Sequence, residues 1–427
     1  VTSNAELFER GLRVIPGGVN SPVRAFRSVG GTPYFVSRAE GAHVWDVEGR
    51  RLVDLVQSYG ASILGHADPR VVAAVREAAG RGSTYGAPTE GEVLLAEALT
   101  SRYPGLEQVR LVSSGTEAAM SALRLARGVT GRSTAIKFAG NYHGHSDALL
   151  AAAGSGVAEG VIGSEVVPDS AGVTAGAVAD TVVLPYNVVP TLDESVAVVC
   201  VEPVAANMGL VPPVPGFLEG LRAECDRVGA LLLYDEVITG CRLAAGGATE
   251  RFGVQPDVWC FGKVIGGGLP VGAFGSSAAV MAALAPTGPV YQAGTLSGNP
   301  LATAAGLTVL EALDAAAYEQ LETTAAALAT GLRLAFDAAG VEAVVPRCGP
   351  LVGLFFGPET PVDFDGAARS VAGGRYPAFF HGMLDRGVAL APGPYEVMFP
   401  SLAHTDADLE LVVGAAHEVA AELARHD

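Results

Sequence analysis

From Val109 to about Phe274, short apolar runs alternate with segments of helical pattern. The runs are Val109–Val112, Thr134–Phe138, Val196–Val201, Ala230–Tyr234 and Val258–Phe261. Strands that stay apolar along their length bury both faces, and the segments between them have room for a crossover helix. That rhythm predicts an α/β fold with a large, doubly wound, mostly parallel sheet. Such sheets receive ligands beyond the carboxyl ends of their strands, so the residues that follow each run carry the functional argument. At 427 residues the chain exceeds one small core. We divide it into 1–60, the N-terminal part of a smaller α+β lobe; 61–320, the large domain; and 321–427, the C-terminal part of the smaller lobe. Asn4–Val14, Pro69–Gly80, Gly91–Tyr103, Asn299–Leu313, Leu321–Ala339 and a last stretch near Asp406–Arg425 read as helices. Residues 33–56 alternate as strands turning at Gly41 and Gly49, and further strands are expected near Leu351–Phe356. Residues 151–180 carry no period; a loop that long is either disordered or a functional lid.

Three segments follow the apolar runs with chemistry. After Val258–Phe261 comes Gly262-Lys-Val-Ile-Gly-Gly-Gly, which sets Lys263 on a glycine-rich turn. An amine confined in a dry pocket loses its proton more easily and attacks aldehydes, as a Schiff-base lysine must. After Ala230–Tyr234 comes Asp235, a carboxylate at a strand's carboxyl end, able to keep a pyridinium nitrogen protonated. After Leu111-Val112 come Ser113, Ser114, Gly115 and Thr116, a small polar turn opening a strong helical pattern. Free N–H groups at such a helix start suit a phosphate, although an ordinary N-cap looks the same. Asn141-Tyr-His-Gly-His adds Tyr142, an aromatic ring able to stack on a planar cofactor. Lysine, acid, phosphate turn and ring together are the parts of a pyridoxal-phosphate site. The alternative reading of His143 and His145 as metal ligands has no acid or cysteine beside it, so no metal is expected.

The net charge of −18 argues against nucleic acid and anionic membranes as partners. An anionic substrate must therefore meet a local basic residue. Five cysteines without C-x-x-C spacing make a disulfide frame or structural zinc unexpected. With no apolar run of membrane-spanning length and no visible leader, the expected compartment is the cytoplasm.

Several stretches are more specific. Pro16-Gly-Gly-Val-Asn-Ser-Pro-Val-Arg-Ala-Phe, Asn141-Tyr-His-Gly-His, Val201-Glu-Pro-Val-Ala-Ala-Asn-Met, Gly262-Lys-Val-Ile-Gly-Gly-Gly-Leu-Pro and Val290-Tyr-Gln-Ala-Gly-Thr-Leu-Ser-Gly-Asn-Pro resemble the class III aminotransferases, pyridoxal-phosphate enzymes of fold type I. Among these, the likeness is to the branch that isomerises glutamate 1-semialdehyde, and it spans essentially the whole chain. The resemblance implies that Lys263 binds the cofactor and moves protons, Asp235 pairs with its ring nitrogen, and Val237 and Tyr142 cover the ring's faces. It places Ser114, Gly115 and Thr116 on the phosphate, with Thr295 supplied by the partner of a homodimer. His143, Glu202 and Asn207 line the cofactor site. Arg24 takes the substrate carboxylate, beside Ser21, Tyr59, Ser155 of the lid, and Glu396, which would disfavour an α-carboxylate. The implied reaction is an internal amino exchange, through pyridoxal and pyridoxamine phosphate, that yields 5-aminolevulinate for tetrapyrrole synthesis. Glutamyl-tRNA reductase is the implied transient partner. The chain departs from the branch at Ser58-Tyr-Gly-Ala, where Ser-Trp-Gly-Pro is usual, at Cys241 and around Tyr395–Met398. A class III aminotransferase or aminomutase acting on a different amino substrate is the alternative, and a catalytically idle homologue is a third reading, disfavoured by the intact Lys263 and Asp235.

Overall fold

The computed structural model describes residues 2–151 and 167–425. Three strands, β1 (Val36–Glu40), β2 (His43–Asp46) and β3 (Arg51–Asp54), form an antiparallel meander, and Val388–Ala389 adds in parallel to β3. Val44, Leu52 and Val53 of this sheet share a core with Leu328, Leu332 and Phe336 of the helix Ala315–Ala339 and Val412 and Val419 of the helix Asp406–Leu423. The two ends of the chain thus close over one another.

The larger sheet has seven strands: β4 (Gln108–Val112), β5 (Thr134–Phe138), β6 (Thr181–Leu184), β7 (Val196–Val201), β8 (Leu231–Asp235), β9 (Val258–Phe261) and β10 (Gly272–Ser276). Their order is β4-β10-β9-β8-β7-β5-β6. Every pairing is parallel except those of β10, which runs antiparallel to both β4 and β9. β7 is buried at each position, as its Val-Ala-Val-Val-Cys-Val run requires. The register Val201↔Tyr234 and Asp235↔Cys260 brings the carboxyl ends of β7, β8 and β9 level.

The helix Gly115–Thr130 lies on the sheet through Ala118, Ala122, Leu125 and Ala126. It starts where Ser114 Oγ accepts from Glu117 N. The helix expected from Leu321 begins earlier, at Ala315, because the Asp314 carboxylate caps Ala317 N at 2.8 Å. The strands expected near Leu351–Phe356 are two short ones: Leu351–Val352 pairs with Arg347–Cys348, and Phe355–Phe356 with Ala343–Val344. The break falls at Gly353, which packs so close to Leu210 that a Cβ there would lie 2.6 Å from Leu210 Cβ.

Candidate active site

The carboxyl edge of the large sheet collects the residues singled out above. Glu202 follows β7, Asp235 ends β8, Lys263 follows β9, Tyr142 and His143 follow β5, and Ser114 follows β4. Around them lies a cleft of about 240 Å³. Ser114, Gly115 and Thr116 line one end of it; Tyr142, Glu202 and Asn207 line the side, with Asp235, Val237 and Lys263.

Each group is held by its neighbours. Asp235 Oδ2 lies 2.8 Å from Nδ1 of the buried His143, and Oδ1 accepts from Val237 N at 3.1 Å. With Asp235 ionised, His143 Nδ1 is the donor, and the carboxylate is fixed in orientation. Glu202 accepts from Tyr142 N at 2.6 Å and from Ala206 N at 3.0 Å, while its own N–H donates to Asn141 Oδ1 at 2.8 Å. Burial pushes the Glu202 carboxyl above its ordinary range, opposed by the nearby His143 and these backbone donors. Burial likewise raises the Tyr142 phenol, with Asp235 adding to the effect.

Lys263 has the left-handed φ of +48°, rare for a side chain that is not glycine and common where a site stores strain. Its Nζ makes no hydrogen bond or ion pair among the described residues. Burial lowers its pKa against the opposing charges of Asp235, Glu202 and Glu396, and Arg242 adds to the lowering. An amine so placed gives up its proton more easily and is available as a nucleophile and proton carrier.

At the far end, the N–H groups of Gly115 and Thr116 stand in the first helical turn, without intrahelical acceptors. The backbone here is pressed close. A Cβ on Gly144, whose φ is +79°, would lie 2.4 Å from Thr116 Oγ1, and one on Gly115 would lie 3.0 Å from Val237 Cγ2. The result is an anion cradle at one end, a carboxylate at the other, and an aromatic ring and a β-branched side chain along the sides.

Residues 26–419 match the aminotransferase class-III family. The chain belongs to the class III aminotransferases. A glutamate-1-semialdehyde 2,1-aminomutase of Roseiflexus castenholzii is 53% identical over 418 residues, covering 96% of this chain and 95% of the relative. Among solved structures, an omega-transaminase from Sphaerobacter thermophilus is 34% identical, with a TM-score of 0.89 over 99% of this chain and 98% of that one. A glutamate-1-semialdehyde-aminomutase from Pseudomonas aeruginosa PAO1 is 29% identical, with a TM-score of 0.87 over 98% and 94%. A lysine-to-alanine form of the Pseudomonas enzyme is in complex with PMP.

In this class III chain the expected substrate-end residues lie apart from the cleft's inner lining. Arg24 sits exposed on the turn Pro22–Ala25, held by Arg24 N donating to Ser21 O at 3.0 Å and by the buried Phe26. Tyr59 stands between charges. Burial raises its phenol, the Glu396 carboxylate adds to that, and Arg24 opposes it. The Glu396 carboxylate also opposes the lowering of the Lys263 pKa and raises the phenol of the half-buried Tyr376, whose OH donates to Ala391 O at 2.6 Å. Thr295 is exposed and away from its own chain's cleft. Ser155 lies outside the described residues, as does half of the expected lid. Cys241 is no part of the cleft lining. It is packed in the core, its N–H donating to Tyr103 OH at 3.0 Å. Tyr395 turns its ring to Phe364, 5.8 Å away.

Three contributors were not read from the sequence. Gly144 and Ile238 line the cleft. Glu236, fully buried beside Asp235, accepts from Ala248 N, Thr249 N, Thr249 Oγ1 and Thr239 Oγ1 at 2.7–3.0 Å. The Asp-Glu pair with a threonine three residues on is the signal that pointed there.

Proposed function

We propose that the chain moves an amino group within one molecule, converting (S)-4-amino-5-oxopentanoate, glutamate 1-semialdehyde, to 5-aminolevulinate, with pyridoxal phosphate and its pyridoxamine form as cofactor. One observation carries this reading. A chain 53% identical to an aminomutase over 96% of its length gathers Lys263, whose pKa burial lowers, the carboxylate of Asp235 and the helix start at Gly115 and Thr116 in one cleft. The residues present fit the cofactor: Gly115 and Thr116 offer N–H groups to a phosphate, and the close packing of Gly144 on Thr116 leaves the backbone, not a side chain, to meet it. When bound, the cofactor supplies an electron sink and a carrier for the amino group.

The chain's own groups do the rest. Asp235, oriented by His143, would pair with the cofactor's ring nitrogen and keep it protonated. Tyr142, Val237, Glu202 and Asn207 would hold the ring in the cleft they line. Lys263 would carry protons between the substrate carbons and the cofactor's carbon, a role that its lowered pKa favours. Arg24 takes the single carboxylate, helped by Ser21. Glu396 repels a second carboxylate near Lys263, so α-amino acids are poor substrates. The working form is a homodimer in which Thr295 reaches the partner's phosphate; the exposed Tyr291, Thr295 and Leu296 support it. The reactive aldehyde makes its supplier, glutamyl-tRNA reductase, the transient partner we propose. Five free, buried cysteines accord with a reducing, cytoplasmic setting.

The test mixes purified protein with glutamate 1-semialdehyde and no external amino donor or acceptor. 5-Aminolevulinate is expected, and none with Lys263→Ala. A cofactor spectrum without that product would sink the substrate assignment. A second reading, transamination with an external acceptor, is favoured by Tyr59 standing where the branch has tryptophan. It predicts product only when a keto acid is added.

A further inference from the structure

Arg242 has 0% of its surface exposed. It lies on the turn that follows Asp235, with its N–H donating to Thr239 O at 3.1 Å. Among the described residues no carboxylate pairs with it. Nη2 donates to Gly60 O at 2.6 Å, Nη1 to Pro400 O at 3.3 Å, and Cζ sits 5.3 Å from the centre of the Phe399 ring. Nε has no acceptor. Burial draws the guanidinium down to about 9, so it still carries its charge at neutral pH. A buried charge met by neutral carbonyls alone is costly, and an apolar side chain of the same volume would serve packing better. The use of this charge therefore lies in what the two carbonyls hold.

Gly60 closes a strained turn. Gln57, Ser58 and Tyr59 are all left-handed, with φ of 44°, 54° and 55°, and three such residues in a row persist only where their surroundings dictate it. Gly60 itself has φ +96°, and a Cβ there would lie 2.7 Å from Phe399 Cε1. Pro400 ends the segment that carries Glu396, and Phe399 N donates to Leu55 O at 2.8 Å. One guanidinium thus bonds the turn that presents Tyr59 to the segment that presents Glu396, and those two residues act on each other.

We propose that Arg242 is a positioning residue for the substrate end of the cleft: by bonding Gly60 O and Pro400 O at once, it sets Tyr59 and Glu396 at a fixed separation over Lys263, and so governs how tightly the substrate's carboxylate end is held. The inference rests on the site being the amino-exchange centre described above. It separates binding from chemistry. Loss of Arg242 loosens Tyr59 and Glu396 and leaves Asp235 and Tyr142 on their own supports; it also removes one charge that lowers the Lys263 pKa, so kcat is read on its pH-independent plateau.

The test compares Arg242→Met, which keeps the volume, with Arg242→Lys, which restores donors without the planar fork. Both are read as cofactor-loaded enzyme, with KM and kcat for glutamate 1-semialdehyde and calorimetric binding of levulinate, a five-carbon keto acid lacking the amine. For Arg242→Met, KM and the levulinate Kd should rise about tenfold or more while kcat per loaded site changes less than about threefold. Arg242→Lys should fall between Arg242→Met and the wild type. A merely structural role predicts the reverse: a lower melting temperature and loaded fraction, with KM and levulinate binding unchanged, and that result overturns the proposal. If Arg242→Met does not fold, Arg242→Lys decides alone, since a wild-type KM there also overturns it. If the wild type makes no 5-aminolevulinate but transaminates another amine, the functional reading fails. The Arg242 question is then answered by the KM for that amine.

Discussion

Glu236 and Lys137 are two further ionisable side chains buried in the large domain, and each yields a prediction. Both Glu236 oxygens meet a rigid donor. Oε2 takes Ala248 N at 2.9 Å and Oε1 takes Thr249 N at 3.0 Å. In Glu236→Gln, either orientation of the amide turns its NH₂ toward a backbone N–H that cannot rotate away. The cost is about 1–3 kcal/mol, expected as a melting temperature lower by several degrees together with weaker cofactor retention, because Asp235 is the next residue. An unchanged melting curve would refute this. Lys137, buried on β5, donates to Leu149 O at 3.0 Å, and burial lowers its pKa from 10.5 to about 8. The depressed value fixes the sign. Between those two pH values the unfolded chain holds a proton that the folded chain has released, so this residue's contribution to stability rises with pH, by at most about 1.4 kcal/mol per unit. Measured as the difference in melting temperature between wild type and Lys137→Met, the wild type should gain from about pH 8 to about pH 10. A flat difference would show that the proton stays on. Lys137 was not singled out from the sequence, where Thr134–Phe138 is read only as one of the apolar strand runs.

At the scale of elements, the legible strands were those with a two-sided apolar run: β4, β5, β7, β8 and β9 all stand where their runs predict. β10 was not legible, and the reason is physical. Its Gly-Ala-Phe-Gly-Ser carries small residues because two backbones approach it. A Cβ on Gly272 would lie 2.3 Å from Ser114 O, and one on Gly275 would lie 2.5 Å from Gln108 O. β6, a sheet-edge strand, has an exposed valine at its second position and so lacks the buried signature. The cleft follows the same division. Residues whose chemistry is distinctive, Lys263 and Asp235 above all, could be placed from the sequence, whereas Gly144 and Ile238 matter for shape, which one sequence does not display. β10 in turn supports the phosphate turn, which makes a test possible. Gly272→Ala must push β10 and the Ser114 turn apart, since the obstacle is backbone. The expectation is cofactor affinity weakened at least about tenfold, read by equilibrium dialysis, with kcat of the loaded enzyme much less affected. Cofactor affinity equal to wild type would mean that the turn adjusts freely.

For the whole molecule, the face around Thr295 carries the argument. Tyr291 is 71% and Leu296 52% exposed, and Tyr85 and Val93 stand open nearby, where Asn299 Nδ2 donates to Ser83 O at 2.7 Å. Large apolar side chains clustered around the residue that we propose reaches a partner's phosphate are what such a dimer face would require. Against association stands the net charge of −18 on each copy, which repels a second copy at long range. Two consequences can be measured together. Leu296→Asp places one more negative charge in the face and should yield a monomer by light scattering, with cofactor lost more readily because Thr295 no longer reaches its partner. Salt should act in the opposite direction. Screening at about 0.15 M shortens the reach of the repulsion to roughly 8 Å, so dimerisation of the wild type should strengthen between low and physiological ionic strength rather than weaken. A dimer that dissociates as salt is added would instead be held by ion pairs, and this apolar face would not be the interface. A Leu296→Asp protein that stays dimeric but releases cofactor would place Thr295 within its own subunit's reach and overturn the exchange of residues between partners.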